Sequence, residues 1–392
     1  MSLTLSSSFS SNKPTLSHAT LPIQAYVLSL AALPSHYAAS VSTPSNEIYL
    51  FDKSNFNKNV QTLPGHEIAI TSLRTAKSPG GNRDALISCG KDGVVRVWDE
   101  RQGTAALEML TSRTGQALLS CDSSVDGLTV AAGTELQGED AFIIYWDPRN
   151  PAAPLRTHSS AHSDDVTVVR FDRSPLSRNI LLSASSDGLV SISDPSEDDE
   201  DESVLHVGNW GCSVSNTDWI AGDGGSPSNP RVWASSDMET FSTWSNELDL
   251  QQDLDRGRFT YPNEDLTWVT DYIIDCHSLP DNTFHVFAGS NEGDIAMLSP
   301  SLPFESTSQW SLDKLYTSAH SGVVRCTLWD DAHEILISGG EDSRINVWSC
   351  PTPGEKSGRD EMDVDVAPPR KRGHWEDRGD SATGKRSRAL YD

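Results

Sequence analysis

The chain of 392 residues is long enough for one large repeat array, and its 56 Asp and Glu against 30 Lys and Arg leave a formal charge of −26. A surface of that sign repels phosphate backbones, which sets direct nucleic-acid binding aside and favours basic proteins as partners, attracted at long range and released by salt. With 27 Gly, 21 Pro and 11 Trp the composition disfavours a helical bundle, and apolar runs such as AYVLSLAAL (25–33) are about half the length a membrane span needs.

The N-terminal MSLTLSSSFSSNK has neither a basic stretch leading into an apolar one nor the Arg of a transit peptide, so a soluble intracellular protein is expected. The cysteines at 89, 121, 212, 276, 326 and 350 stand singly, without C-x-x-C pairs or nearby His at ligand spacing. They read as free thiols, and neither a metal nor a cofactor is expected.

From residue 47 onward one short pattern recurs: EIYLFD (47–52), VVRVWD (94–99), FIIYWD (142–147), LVSISD (189–194), TFSTWS (240–245), DIAMLS (294–299) and RINVWS (344–349). Its fifth residue is Phe51, Trp98, Trp146, Ser193, Trp244, Leu298 and Trp348 in turn, at spacings of 47 to 54. Within each unit, apolar runs alternate with period two, as in SLRTA, ALISC and GVVRVW. The last two runs are joined by tight turns such as KDG (91–93), SDG (186–188) and NEG (291–293), where Asp, Asn or Gly supplies hairpin geometry. A four-stranded antiparallel unit repeated at this length predicts an all-β propeller of seven blades, ending near 52, 99, 147, 194, 245, 299 and 349.

Gly65-His66, Ser88, Asp92 and Trp98, with His320, Ser338, Asp342 and Trp348, resemble the WD40 repeat family. In that family such residues form a hydrogen-bonded chain through each blade, with the Asp taking hydrogens from His and turn amides and the Trp indole meeting the Ser. His162, Ser183 and Asp187 keep three of the four, with Ser193 where the Trp would be, so that network should be incomplete. Stretches such as AAGTELQGEDAFIIYWDPR (131–149) and DYIIDCHSLPDNTFHVFAGSNEGDIAML (271–298) are similar to one branch of the family over about residues 22–350. The resemblance implies a propeller at 22–350 whose last blade is closed by a strand from the N-terminal segment, drawn from residues 3–23 within or beside 1–21.

Ser88, His66 and Asp92 have the residue types of a hydrolase triad, but their recurrence at blade spacing, and the lack of a G-x-S-x-G elbow, mark a structural network. An enzyme is therefore not expected. Trp98-Asp99-Glu100-Arg101 and Trp146-Asp147-Pro148-Arg149 resemble the paired motif of WD40 proteins that dock on the cullin-4 adaptor DDB1, which makes Arg101 and Arg149 candidate adaptor contacts. Their other reading is ordinary surface salt bridges. The run Glu197, Asp198, Asp199, Glu200, Asp201, Glu202 is either a solvated loop or a dock for a basic partner, and Ser196 before it suits an acidophilic kinase. Trp219, Trp268 and Trp329 lie off the repeating strand and are core residues or partner anchors.

From 351 to 392 the composition predicts disorder. There Arg370, Lys371 and Arg372, then Lys385, Arg386 and Arg388 after a 12-residue spacer, resemble a bipartite nuclear localisation signal, two clusters able to reach two acidic pockets of an import receptor. The same charges also suit a solubility tail or a segment folding back on the acidic body. The tail holds nine charges of each sign from Glu355 on, so the preceding residues carry 47 acidic against 21 basic side chains. The expected protein is a nuclear scaffold or chaperone, shared with the cytoplasm, for a basic client of the ribosomal-protein or histone class. The alternative is a substrate receptor of a cullin-4 ubiquitin ligase.

Overall fold

The computed structural model describes residues 3–12, 15–77, 83–111, 116–174, 179–221, 231–263, 266–278, 283–301, 309–318 and 320–350. Seven sheets follow one another in chain order, each blade running from an inner to an outer strand. Blade 1 comprises Val27–Ala32, His36–Val41, Ile48–Asp52 and Asn55–Leu63, and blade 2 comprises Ile70–Lys77, Asp84–Gly90, Val94–Trp98 and Ala105–Leu110. Blade 3 is Leu118–Ser123, Val130–Thr134, Ile143–Trp146 and Arg156–His158; blade 4 is Val168–Phe171, Leu181–Ala184, Leu189–Ser193 and Val204–Asn209. Blade 5 is Val214–Ile220, Arg231–Ser236, Thr240–Trp244 and Leu250–Asp255; blade 6 is Tyr272–Ser278, Phe284–Gly289, Ile295–Pro300 and Trp310–Tyr316. Blade 7 has Val324–Asp330, Ile335–Gly340 and Arg344–Ser349 from the end of the repeats and Ser17–Thr20 as its outer strand. No described helix is long and apolar enough to cross a membrane.

The repeating pattern marks the third strand of each blade, and its fifth position explains the spacing. Trp98 packs in one cluster with Leu50, Trp146 with Val97, Trp244 with Ile192, Trp348 with Met297 and Phe51 with Val347. In every case the fifth residue of one third strand covers the fourth residue of the third strand before it. One large side chain thus seals five of the seven seams, which is why the pattern recurs at blade length. At the start of blade 2 Gly65 has φ +65°, and a Cβ there would fall 1.8 Å from the Asn46 carbonyl oxygen, so the Gly before His66 is sterically required.

The N-terminal segment divides where a single closing strand was expected. Ser17–Thr20 pairs antiparallel with Arg344–Ser349, His18 opposite Asn346, and completes blade 7. Thr4–Asn12 instead runs parallel to Trp310–Tyr316 and makes blade 6 five-stranded. Leu3 is buried and Phe9 half-buried in the core between blades 5 and 6. A parallel partner needs no turn and this stretch is mostly serine, so no turn or alternation signal marks it. The seam between blades 7 and 1 is tied at Asp330, whose carboxylate accepts from Tyr37 Oη (2.6 Å), Lys53 Nζ (3.0 Å) and His333 Nδ1 (3.0 Å).

Candidate interaction surfaces

Two of the three His-Ser-Asp sets form closed chains. In blade 2 His66 Nδ1 lies 2.9 Å from Asp92 Oδ1 and its Nε2 2.8 Å from Ser88 Oγ, while Trp98 Nε1 donates to Ser88 Oγ at 2.9 Å. Blade 7 repeats this, with His320 3.1 Å from Asp342 and 2.8 Å from Ser338, and Trp348 Nε1 donating to Ser338 at 2.8 Å. The carboxylate takes the Nδ1 hydrogen, which leaves Nε2 to accept from the serine hydroxyl. Glu67 and Ser321 amides add to the carboxylates. In blade 4 His162 Nε2 is 2.8 Å from Ser183, but its Nδ1 stands 3.7 Å from Asp187 and Ser193 offers no indole. The serines are fully buried and engaged in these chains, which is a framework role.

Burial works against the charge on Asp92 and Asp330, yet their hydrogen-bonded partners overcome it and hold each pKa near 2, below the ordinary 3.8. Asp342 is lowered in the same way, with burial opposed by His320 and the Ser321 amide. A depressed folded pKa gives stability that is complete above the unfolded value and lost as pH falls through the folded one. Urea midpoints should therefore stay level from neutral pH to about 5 and fall between about 4 and 2. Asp92→Asn should flatten part of that fall; a level profile down to pH about 2 would refute the assignment.

Sequence inspection missed the centre of the ring. All seven inner strands line one cavity of about 680 Å³ along the axis. Within it Arg74 of blade 2 donates to Asp218 of blade 5 at 3.0 Å, across the channel. Arg170 Nε of blade 4 lies 3.3 Å from the same carboxylate, and Asp122 of blade 3, fully buried, pairs with Arg173 and sits 4.0 Å from Arg74. On blade 6 Asp275 and His277 complete the circle at 4.0 Å. Burial lowers Arg170 to about 10, with Arg74 adding to the effect, while Asp218 is held down, against burial, by the two guanidiniums. The signal was present as one charge, Arg74, Asp122, Arg170, Asp218 or Asp275, at the matching position of five inner strands.

Arg101 and Arg149 project from matching turns after third strands, with 61% and 64% of their side chains exposed. Each folds back on its own motif: Arg101 Nε donates to Asp99 at 2.8 Å, and Arg149 Nε and Nη2 donate to Asp147 at 2.9 and 2.7 Å. Beside the first lies a cavity of about 660 Å³ lined by Pro34, Arg83, Val97, Leu107 and Pro148.

The acidic run lies between the third and outer strands of blade 4 and is tethered, in place of the free loop its charge suggests. Arg156 donates to the carbonyls of Pro195 and Glu197 at 2.8 Å each and meets Asp198 at 3.0 Å. Glu200 accepts from the amides of Ser159 and Ser160, and Asp199 caps the short helix Glu200–Ser203. Asp201 and Glu202 stand exposed, as does Ser196, whose hydroxyl donates to Asp194 at 2.6 Å. Trp268 is buried in the core, Trp219 donates to Arg170 O across a blade seam, and Trp329 is half-buried beside His285. Trp219 and Trp268 thus serve packing.

The loops leading from each outer strand to the next inner strand, with the turns between second and third strands, share one face. Glu67, Glu139, Asp140, Asp237 and Glu292 are exposed there with no salt bridge among the described residues. Tyr26, Ile68, Leu136, Met238 and Val269 are exposed large apolar residues on the same face. The candidate localisation residues Arg370, Lys371, Arg372, Lys385, Arg386 and Arg388 lie outside the described residues.

Comparison with known proteins gives the same architecture. The family described as WD domain, G-beta repeat matches residues 57–99 and 312–349. A WD repeat-containing protein of Saccharomyces cerevisiae is 31% identical over 324 residues, covering 80% of this chain and 77% of that protein. The WD repeat-containing protein 89 homolog of Dictyostelium discoideum is 27% identical over 337 residues, covering 83% and 82%. A WD repeat-containing protein of Arabidopsis thaliana is 26% identical, covering 88% and 87%.

Proposed function

The chain belongs to the WD40 repeat family, whose propellers bind other proteins, and on that footing we propose that it is a non-catalytic scaffold holding a basic client in the nucleus. What carries this reading is the face of inter-blade loops, where carboxylates that form no salt bridge among the described residues stand beside exposed apolar side chains. Unpaired charge steers and orients a basic partner, and the apolar residues supply contacts that become favourable once water is excluded. Ribosomal proteins and histones have the required charge. The basic clusters of the tail would deliver the chain to an import receptor, and a kinase acting at Ser196 would add negative charge to the propeller.

A second reading, a substrate receptor on DDB1 and cullin-4, is favoured by Arg101 and Arg149 sharing one geometry and high exposure on neighbouring blades. One experiment separates the two: affinity purification of the tagged full chain from nuclear extract, beside an Arg101→Ala/Arg149→Ala variant and a Glu67→Lys/Asp237→Lys/Glu292→Lys variant. For the scaffold, basic proteins dominate, elute with salt, ignore the Arg changes and are lost with the charge reversals. For the receptor, DDB1 and cullin-4 are captured and vanish with the Arg changes. Absence of basic prey at low salt overturns the scaffold reading.

A further inference from the structure

An outer strand presents a row of unpaired amides and carbonyls, and folded chains blunt such edges with charge or cover them. Blade 2 exposes Glu108 on its outer strand and blade 5 exposes Asp253 and Asp255. Blade 6 is covered by Thr4–Asn12, so an outer edge of this molecule does accept a fifth strand. Among the described residues blade 4 has neither device: Val204–Asn209 reads VLHVGN, without Asp, Glu, Lys or Arg, and Leu205 and Val207 are 48% and 51% exposed. The backbone is poised as well. Trp210 N donates inward to Gly188 O at 2.9 Å, so by the alternation of an antiparallel pair the amide of Val207, opposite Ser191, points away from the sheet. At the N-terminal end of this strand Asp201 and Glu202 stand exposed, while the loop that carries them is tied down through Arg156 and Glu200.

We propose that the outer edge of blade 4 receives an extended segment of a basic protein, added alongside Val204–Asn209 as a fifth strand. Main-chain hydrogen bonds to this edge supply affinity; apolar side chains of the segment cover Leu205 and Val207, and Lys or Arg at its end meets Asp201 and Glu202. This rests on the reading of a basic client and assigns a binding mode to part of it.

The test uses the full chain and a fluorescent peptide Lys-Lys-Lys-Val-Thr-Val-Thr-Val, read by anisotropy, with two copies of that peptide N-methylated on alternate amides along one edge or the other. Wild type should bind the parent peptide. One methylated copy should bind at least tenfold more weakly and the other nearly as well, since only one edge faces the sheet. Val207→Pro, which removes an outward amide, and Leu205→Ser should each weaken binding at least tenfold while thermal unfolding stays close to wild type. Asp201→Lys/Glu202→Lys should remove most of the salt dependence. Equal binding of both methylated copies, or binding untouched by Val207→Pro and Leu205→Ser, overturns strand addition and leaves the scaffold reading to be judged by the purification above. Should Val207→Pro unfold blade 4, the contrast between the two methylated peptides on wild type decides alone.

Discussion

Asp218→Ala should cost about 2 kcal/mol of stability, between the small worth of a surface pair and the larger loss when one member of a fully buried charge cluster is removed, because Arg74 and Asp218 are half-buried in the channel. Asp218 accepts from Arg74 and pairs by charge with Arg170, and these three come from blades 2, 4 and 5. With it gone, two guanidiniums face each other in a confined channel, and Asp122, already engaged by Arg173, is the nearest carboxylate to Arg74 at 4.0 Å. The loss should persist in molar salt, because groups so enclosed are weakly screened. The converse matters equally. Arg74→Met/Arg170→Met/Asp218→Leu should recover much of the stability, since exchanging paired buried charges for apolar groups of similar volume is often neutral or better. Urea unfolding of wild type, Asp218→Ala and the triple variant checks both. A change below about 0.5 kcal/mol in Asp218→Ala would mean that water in the channel solvates these groups as a surface would.

That ring shows where sequence reading stops. The blades were legible because most repeats carry a large residue at the position that seals a seam and a tight turn before it, so composition and spacing carry the fold directly. The hydrogen-bonded sets of blades 2 and 7 were legible for the same reason, being local within a blade. Arg74 and Asp218 are separated by 144 positions and meet only because the ring has closed, so their pairing lies in no pattern along the chain. The stretch Thr4–Asn12 fell within the segment expected to close blade 7, but its place on blade 6 escaped for a different reason: it binds by backbone, in parallel, and only Leu3 and Phe9 enter the core there. The acidic run was visible, but its tethers, Arg156 and the amides of Ser159 and Ser160, come from the neighbouring blade.

The second large effect concerns the blade that lacks its Trp. Where Trp98 covers Leu50 and Trp244 covers Ile192, Ser193 of blade 4 faces Tyr145, the fourth residue of the preceding third strand. Tyr145 is fully buried with Val169, Phe171 and Leu181, its phenol pKa driven up by that burial. Neither the Tyr145 nor the Ser193 hydroxyl makes a well-aligned hydrogen bond, so volume is the main bond between them. The large residue has changed sides of the seam: a small side chain at the fifth position is compensated by a large one at the fourth. Ser193→Trp alone should then overpack the seam and cost about 2 kcal/mol or more, and Tyr145→Leu alone should leave a void costing about 2 to 3 kcal/mol. Together they recreate the arrangement of blade 2, with the new indole able to donate to Ser183, which already holds His162 at 2.8 Å. The double variant should lie within about 1 kcal/mol of wild type, a coupling of at least about 3 kcal/mol in a double-mutant cycle. Additive losses would show that Ser193 and Tyr145 are independent departures from the repeat, and that blade 4 tolerates its missing Trp for some other reason.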